Sequence, residues 1–262
     1  MIKNESKPKA PRTTVVLSAV LVLLVLLLGC VIFYPQLKDQ YIRNRKIKIY
    51  GGMTNELKDG ELFGYLQSGR SICFLGDSIT HGSLTDGIHW YQPLIPYIKG
   101  DISDLSHGGW QVKHLINEEA NIPSADVYVI AIGINDVVLG GTVAANTPDE
   151  YTEECGQLAG IIKKISPDAV IFFIDPWTFV SEDQDALERA DNFREALGKW
   201  CGQNGYRYIN TDPIIRSVLI KDGVYKYLLN DYHPNGNLGV GLYSYAVLKA
   251  DHERSTGKSS VR

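Results

Sequence analysis

Short apolar runs bounded by Gly, Pro or Asp recur along most of the chain and are typical of buried strands. Five such runs occupy residues 71–75, 101–105, 126–132, 169–174 and 206–210, and the run at 101–105 is weaker than the others. Segments with helical periodicity alternate with them, at residues 90–98, 112–120, 148–165, 185–203 and 238–249. This alternation predicts an α/β domain whose parallel five-stranded sheet is covered by helices on both faces.

A different hydrophobic pattern, with no polar face, occupies the N-terminus. Residues 13–37 contain no charged residue, and residues 15–33 are almost wholly aliphatic. At ~1.5 Å per residue, a helix of this length reaches across a hydrocarbon core of roughly 30 Å. We therefore predict one transmembrane helix or signal anchor at residues 13–34. The short basic tail before it favours a cytoplasmic N-terminus and an extracytoplasmic domain, although the distal flank is basic too.

Three other interpretations of the apolar segment stay open. A buried core helix is one, although soluble helices seldom lack a polar face over such a length. A cleaved signal peptide is the second, but no A-x-A cleavage site follows the basic region. The third is a lipobox, because LLGC at residues 27–30 resembles that motif and would place the lipid on Cys30. The apolar VIF after Cys30 is unusual for a lipoprotein.

The remaining segments divide the chain around the α/β domain. Residues 1–12 form a short basic tail, and residues 35–69 mix basic residues with glycine, which predicts a stalk and lead-in. The α/β domain is predicted at residues 70–251. Residues 252–262 are polar and are predicted to form a disordered tail.

Composition narrows the classes of partner. The chain has 262 residues, a net charge of -4 and a pI near 5.9, so it offers no basic surface for nucleic acid. It carries no phosphate-binding or dinucleotide-binding glycine motif, and no cofactor or metal is predicted. Cys73, Cys155 and Cys201 have no disulfide or metal spacing and are predicted to be buried as small apolar residues. The sequence does not predict the oligomeric state.

Polar residues follow the predicted strands at the points where the strands end. FLGDS follows the first strand, SHGGW the second and GINDV the third, while NDYHPN precedes the last helix. Carboxyl ends of parallel strands share one rim. We therefore expect Ser78, Asn135, His233 and either Gly108 or Gly109 to converge there.

These residue types suit acyl transfer. A serine hydroxyl becomes a nucleophile when a neighbouring base takes its proton, and a histidine such as His233 has a pKa suited to that role. The Asn135 amide and the backbone N–H groups of Gly109 and Ser78 can stabilise the oxyanion that attack on an ester creates. Each motif taken singly is also compatible with a purely structural role, as a helix cap or a turn.

The motifs GDS at 76–78, Gly109 in HGGW, GIND at 133–136 and HPN at 233–235 resemble the four signature blocks of the SGNH hydrolases, or GDSL-type esterases. The resemblance spans about residues 71–249 and implies a flavodoxin-like three-layer α/β/α sandwich. It implies that Ser78 is the nucleophile and His233 the base. It also implies that Gly109 and Asn135 are oxyanion-hole donors.

One position departs from the family pattern. The family places its acid three residues before the histidine, but residue 230 is Asn and the acid is Asp231, only two residues before. Asp231 is predicted to complete a Ser78–His233–Asp231 triad if the loop lets it reach the imidazole. A carbonyl or Asn230 is the alternative partner.

The sequence thus predicts a membrane-tethered serine esterase that forms an acyl-enzyme on Ser78. O-Acetyl groups on cell-surface carbohydrate are the expected substrate, and Trp110 or Trp177 could stack on a sugar. One alternative is an O-acyltransferase, in which a sugar hydroxyl replaces water. Another is an inactive binding module that keeps the fold without the reaction.

Overall fold

The computed structural model describes residues 20–25, 27–29, 34, 57–139 and 145–257. The chain forms two compact units, residues 1–45 and residues 46–262. In the first unit the described residues are helical and mostly exposed. Most of the predicted transmembrane segment, all of residues 1–12 and residues 258–262 lie outside the described residues. Within the described part of the chain, no helix has both the length and the apolarity needed to cross a membrane.

The second unit is built around five parallel strands, which confirms the predicted sheet. The strands are β1 (Ile72–Gly76), β2 (Ile102–Ser106), β3 (Val127–Ala131), β4 (Val170–Ile174) and β5 (Arg207–Ile209). Their order in the sheet is β2-β1-β3-β4-β5, and every neighbouring pair is parallel. All residues of β1 and β3 are buried, as expected for central strands with helices on both faces.

Eight α-helices are described in this unit. They are α1 (Glu61–Gln67), α2 (Ser78–His81), α3 (Val112–Asn117), α4 (Ile134–Val138), α5 (Pro148–Ile165), α6 (Gln184–Asn204), α7 (Asp212–Asp222) and α8 (Leu238–Thr256). Short 3₁₀ helices lie at Gln92–Tyr97, Glu119–Asn121 and Val224–Lys226. Helices α3 to α6 contact one another, and α1, α7 and α8 form a second group. In β5, Arg207 bonds to Glu61 of α1 and the next residue, Tyr208, bonds to Arg194 of α6. Because consecutive strand residues point to opposite faces, the two groups flank the sheet as the outer layers of a three-layer domain.

Local signals explain where the long helices begin. Thr147 and Glu150 form a reciprocal capping box at the start of α5, with Pro148 at its first position. Asp183 caps α6 by accepting hydrogen bonds from two backbone N–H groups. Helix α6 ends at Gly205, whose φ of 75° is the left-handed value that glycine favours at this position.

The structure corrects three boundaries. Part of the predicted lead-in is α1, which buries Leu62 and Phe63 and is tied to α8 by a 2.7 Å bond from the Leu62 N–H to Asp251. The helix predicted at residues 90–98 is instead a 3₁₀ helix, because two prolines within it remove backbone donors. Helix α8 runs on into the predicted polar tail as far as Thr256.

Candidate active site

The predicted site residues follow three adjacent strands. The chain passes from β1 to β2 on one side and then to β3 on the other side of β1, so strand order reverses between β1 and β3. Crevices at such switch points are the usual ligand sites of open α/β sheets. Ser78 follows β1, Gly109 follows β2 and Asn135 follows β3.

Ser78 is the first residue of α2, directly after a tight turn. A Cβ on Gly76 would lie 2.6 Å from the Ala131 carbonyl oxygen of β3, so only glycine lets β1 pass this point. The Asp77 carboxylate then caps α2 by accepting the Ile79 N–H at 2.9 Å. Ser78 itself is 9% exposed. Neighbouring residues therefore enclose most of Ser78, which lies at the carboxyl rim of the sheet.

The Ser78 hydroxyl is hydrogen-bonded to His233. The distance from Ser78 Oγ to His233 Nε2 is 2.9 Å, although the two residues are 155 positions apart in sequence. Burial lowers the pKa of His233 below its ordinary value, because the imidazolium loses hydration there. His233 is therefore neutral at pH 7, which is the state that a general base requires.

Asn230 fixes which nitrogen of His233 carries the proton. Its Oδ1 accepts the backbone N–H groups of Tyr232 at 3.0 Å and His233 at 2.8 Å, and it also lies 3.1 Å from His233 Nδ1. The two backbone donors require the oxygen, and not the NH₂ group, at this position. Nδ1 must then donate its proton, which leaves a lone pair on Nε2 for the Ser78 hydroxyl.

Asp231 does not reach the imidazole, which corrects the expected triad. Its carboxylate is exposed and accepts the Tyr225 hydroxyl at 2.9 Å. The backbone carbonyl of Asp231 accepts the Val180 N–H at 3.0 Å, so the residue is held in this orientation. The structure brings together Ser78, His233 and Asn230, and it places Asp231 outside that set.

Three predicted oxyanion donors follow the strands of the rim that carries the serine, and each has an N–H that no described residue accepts. Asn135 Nδ2 donates one hydrogen to the Trp110 carbonyl at 2.8 Å, which orients the amide and leaves its second hydrogen without an acceptor among the described residues. The backbone N–H groups of Ser78 and Gly109 are likewise not donated to any described residue. Gly109 has a φ of 79°, in the left-handed region that glycine favours.

Two buried carboxyl groups lie behind these donors. Asp77 and Asp136 each have a pKa raised to about 7, first because burial removes water from the carboxylate. The charge of Asp136 raises the pKa of Asp77 further, and no described residue forms a hydrogen bond with Asp77 Oδ2. Asp136 accepts the N–H groups of Val112 and Ala145, so it links α4, which carries Asn135, to the start of α3 just after Gly109.

The tryptophans separate into core and rim. Trp177 is 1% exposed and packs on Trp90 in the core, so the predicted sugar stacking fails for Trp177. Trp110 is half-buried beside Gly109.

Sequence analysis left the hydrogen-bond partner of the His233 imidazole undecided, and the structure shows that it is Asn230. The signal for Asn230 was its position three residues before the histidine, where the family places its acid. Among the described residues, no cluster of His, Cys, Asp and Glu could hold a metal ion.

A serine–histidine pair therefore lies at the carboxyl rim of a parallel sheet, and the predicted oxyanion donors follow strands of the same rim. The model of the GDSL-like lipase/acylhydrolase family matches residues 74–237, which include every one of these groups. The chain belongs to that family, and it is an ester hydrolase. No curated protein sequence matches the chain.

Solved structures share the fold at low sequence identity. A candidate GDSL-like lipase from Parabacteroides merdae superposes with a TM-score of 0.61 at 20% identity, covering 71% of this chain and 97% of that one. A lipolytic G-D-S-L family protein from Veillonella parvula superposes with a TM-score of 0.58 at 16% identity, covering 68% of this chain and 96% of that one. A catalytic mutant of an acetylxylan esterase from Geobacillus stearothermophilus superposes with a TM-score of 0.57 at 19% identity, covering 76% of this chain and 99% of that one.

Proposed function

We propose that this protein is a membrane-tethered serine esterase that removes O-acetyl groups from cell-surface carbohydrate through an acyl-enzyme. The observation that carries the covalent mechanism is the 2.9 Å contact between Ser78 Oγ and His233 Nε2. The imidazole is neutral and is held in the tautomer that leaves Nε2 free to accept a proton. A neutral base bonded to a serine hydroxyl is the arrangement that activates a serine nucleophile.

The reaction proceeds in two halves. Ser78 Oγ attacks the ester carbonyl while its proton passes to His233 Nε2, and the carbonyl oxygen becomes an oxyanion beside Asn135, Gly109 and the Ser78 N–H. The C–O bond to the alcohol then breaks, and His233 returns the proton to the leaving oxygen. Water attacks the acyl-enzyme by the same route, with His233 again as base, and releases the carboxylic acid and free Ser78.

Three observations support an acetylated glycan as the substrate. The N-terminal segment has no charged residue over residues 13–37, and a membrane anchor would hold the enzyme against surface polymers. The fold is shared with an acetylxylan esterase, whose substrate is an acetylated polysaccharide. A rim that is open around Gly109, an exposed residue, suits a large alcohol component.

The covalent mechanism is tested with the full chain in detergent. Wild-type protein is assayed for p-nitrophenyl acetate hydrolysis and for labelling by a fluorophosphonate, beside Ser78→Ala and the matched variant Ser83→Ala. Ser83 is an exposed serine on the same turn, bonded to His81 and not to His233. We expect Ser78→Ala to lose labelling and at least 10⁴-fold in kcat, and Ser83→Ala to keep both.

Other outcomes assign other functions. If wild-type protein labels but transfers acetyl to an added oligosaccharide faster than to water, the protein is an O-acyltransferase. If wild-type protein neither labels nor hydrolyses, the esterase proposal is wrong and an inactive binding module replaces it.

Membrane attachment is tested separately. We expect the full chain to stay in the membrane fraction through an alkaline carbonate wash, with its C-terminal domain accessible to protease from outside the cell. Loss of the anchor on Cys30→Ser substitution would instead indicate lipidation, and release of a shortened soluble chain would indicate a cleaved signal peptide.

A further inference from the structure

Four ring side chains form a continuous row beside the oxyanion donors. His81 lies 5.9 Å from His107, His107 lies 5.5 Å from Trp110, and Trp110 lies 6.4 Å from His114, all measured between ring centroids. His81 ends the helix of the nucleophile, and His114 belongs to α3. Gly109 lies between His107 and Trp110 in the chain. The row, called here the aromatic row, therefore starts three residues after the nucleophile on the same helix and includes the two residues that flank Gly108 and Gly109 in HGGW, His107 and Trp110.

The rings are offset from one another, and none of the four side chains is buried. Trp110 and His114 are almost parallel, at 5° between planes, yet their centroids are farther apart than the ~3.5–4.0 Å of face-to-face contact. Two of the four side chains, His81 and His107, are exposed, and the other two are half-buried. The row differs in this respect from the fully buried core aromatics such as Trp90.

The imidazole edges of the row are polar and have free positions. His107 Nδ1 lies 3.0 Å from the Gly108 carbonyl and must donate to it, which leaves Nε2 as an acceptor. His114 Nδ1 accepts the Gln111 N–H at 3.1 Å, which leaves the proton on Nε2 as a donor. Neither Nε2 atom is bonded to another described residue. The row thus combines aromatic faces with an acceptor, His107 Nε2, and a donor, His114 Nε2, at its edges.

We propose that the aromatic row is a glycan subsite that binds sugar units on the alcohol side of the scissile ester, an inference that rests on the proposed function. Sugar rings carry C–H groups on their faces and hydroxyls at their edges. The C–H groups are attracted by the negative face of an aromatic ring, and the hydroxyls pair with the imidazole nitrogens.

A long acyl chain fits the same surface less well. An acyl chain would cover the free Nε2 atoms of His107 and His114 without offering them a hydrogen bond, and such desolvation is unfavourable. A row of four rings also offers more length than an acetyl group can use. Its extent points to an oligosaccharide of several units.

The test measures dependence on chain length. O-Acetylated xylo-oligosaccharides and chito-oligosaccharides, from dimer to hexamer, are assayed as substrates of wild-type protein, His107→Ala and His107→Phe. We expect kcat/KM of the wild type to rise with chain length in at least one series. For the hexamer of that series, His107→Ala should lower kcat/KM about fivefold more than it lowers kcat/KM for p-nitrophenyl acetate, mainly by raising KM. His107→Phe keeps the ring and should recover most of that loss.

Three results would overturn the subsite. They are no gain with chain length in either series, an equal loss on all substrates, and a selective loss on p-nitrophenyl octanoate, which would assign the row to an acyl chain. Trp110→Phe and Trp110→Ala repeat the comparison at the half-buried ring, with thermal unfolding measured to recognise a folding defect.

Failure of the esterase itself is distinguished by binding. Calorimetry with the Ser78→Ala chain and unacetylated xylohexaose and chitohexaose needs no turnover. Tighter binding of a hexamer than of its dimer, weakened by adding His107→Ala, would support the row even if wild-type protein proved inactive. If neither hexamer binds more tightly than its dimer, the proposal that the aromatic row is a glycan subsite is wrong.

Discussion

Asn230 Oδ1 lies 3.1 Å from His233 Nδ1, so the catalytic base is oriented by a neutral amide and not by a carboxylate. An asparagine that presented its NH₂ group to the ring would fix the wrong tautomer and disable the base. Here the backbone N–H groups of Tyr232 and His233 hold the oxygen toward the ring. The amide therefore orients His233 correctly but supplies no negative charge to stabilise the imidazolium that forms during catalysis.

The first prediction follows from that missing charge. Asn230→Asp should raise kcat for p-nitrophenyl acetate about fivefold, because a hydrogen bond to a charged acceptor is worth ~1 kcal/mol more than a neutral one. It should also raise the pKa of His233, which burial lowers in the wild type. Since the neutral imidazole is the active form, the acidic limb of the pH–rate profile should move to higher pH. Unchanged kcat and an unmoved limb would contradict the assigned contact.

The second prediction compares the two neighbouring side chains. Asn230→Ala should lower kcat by about 10- to 100-fold, because His233 loses its orienting partner. Asp231→Asn should change kcat less than twofold, because its carboxylate faces Tyr225. Rates are measured at pH 8, where His233 is neutral in both variants. The reverse ranking would restore Asp231 to the catalytic set.

A third prediction concerns the side-chain donor of the oxyanion hole. Asn135→Asp preserves the shape of residue 135 but removes the N–H that remains free in the structure. We expect kcat to fall about 10²- to 10³-fold with a small change in KM, because the interaction forms in the transition state. Steady-state kinetics with p-nitrophenyl acetate separate the two constants. A loss confined to KM would assign Asn135 to ground-state binding.

The fourth prediction concerns the dependence of stability on pH. The pKa of Asp77 is about 7 in the folded state, above its ordinary value of ~3.9, so the folded chain retains a proton that the unfolded chain loses. This contribution to stability is complete below about pH 4 and is lost as the pH rises through 7. Asp77→Asn should therefore raise the free energy of unfolding at pH 8 by roughly 1–3 kcal/mol, and by less at pH 5.

Urea unfolding at pH 5, 6.5 and 8 provides the measurement. Some decline with pH should persist in Asp77→Asn, because burial also raises the pKa of Asp136 to about 7 and that of Asp175 to about 6. Asp168→Asn, at an exposed carboxyl, is the matched control and should leave the pH dependence unchanged. Wild-type stability that rises from pH 5 to 8 would contradict the burial argument.

Sequence analysis predicted the sheet because its strands are apolar over their whole length. VIFFI in β4 and VYVIA in β3 have few polar positions, which is the pattern of strands buried on both faces. The parallel arrangement follows from the intervening helices. It also places residues at strand ends together, which is why Ser78 and Asn135 could be expected near one another.

The partner of His233 depended on local backbone geometry that spacing alone could not settle. Asn230 accepts the N–H groups two and three residues further on, which is an Asx-type turn. That turn brings residue 230 to the imidazole and directs the side chain of residue 231 away from it. The aromatic row was also hidden, because His81 and His107 meet only when α2 and the loop after β2 pack together.

The separation of 155 positions between Ser78 and His233 has a consequence for biosynthesis. A growing polypeptide acquires its nucleophile and both backbone oxyanion donors long before the base has been translated. A nascent or prematurely terminated chain that ends before residue 233 is therefore inert toward esters. Hydrolytic activity thus reports that synthesis has reached the final third of the chain and that this part has docked on the sheet.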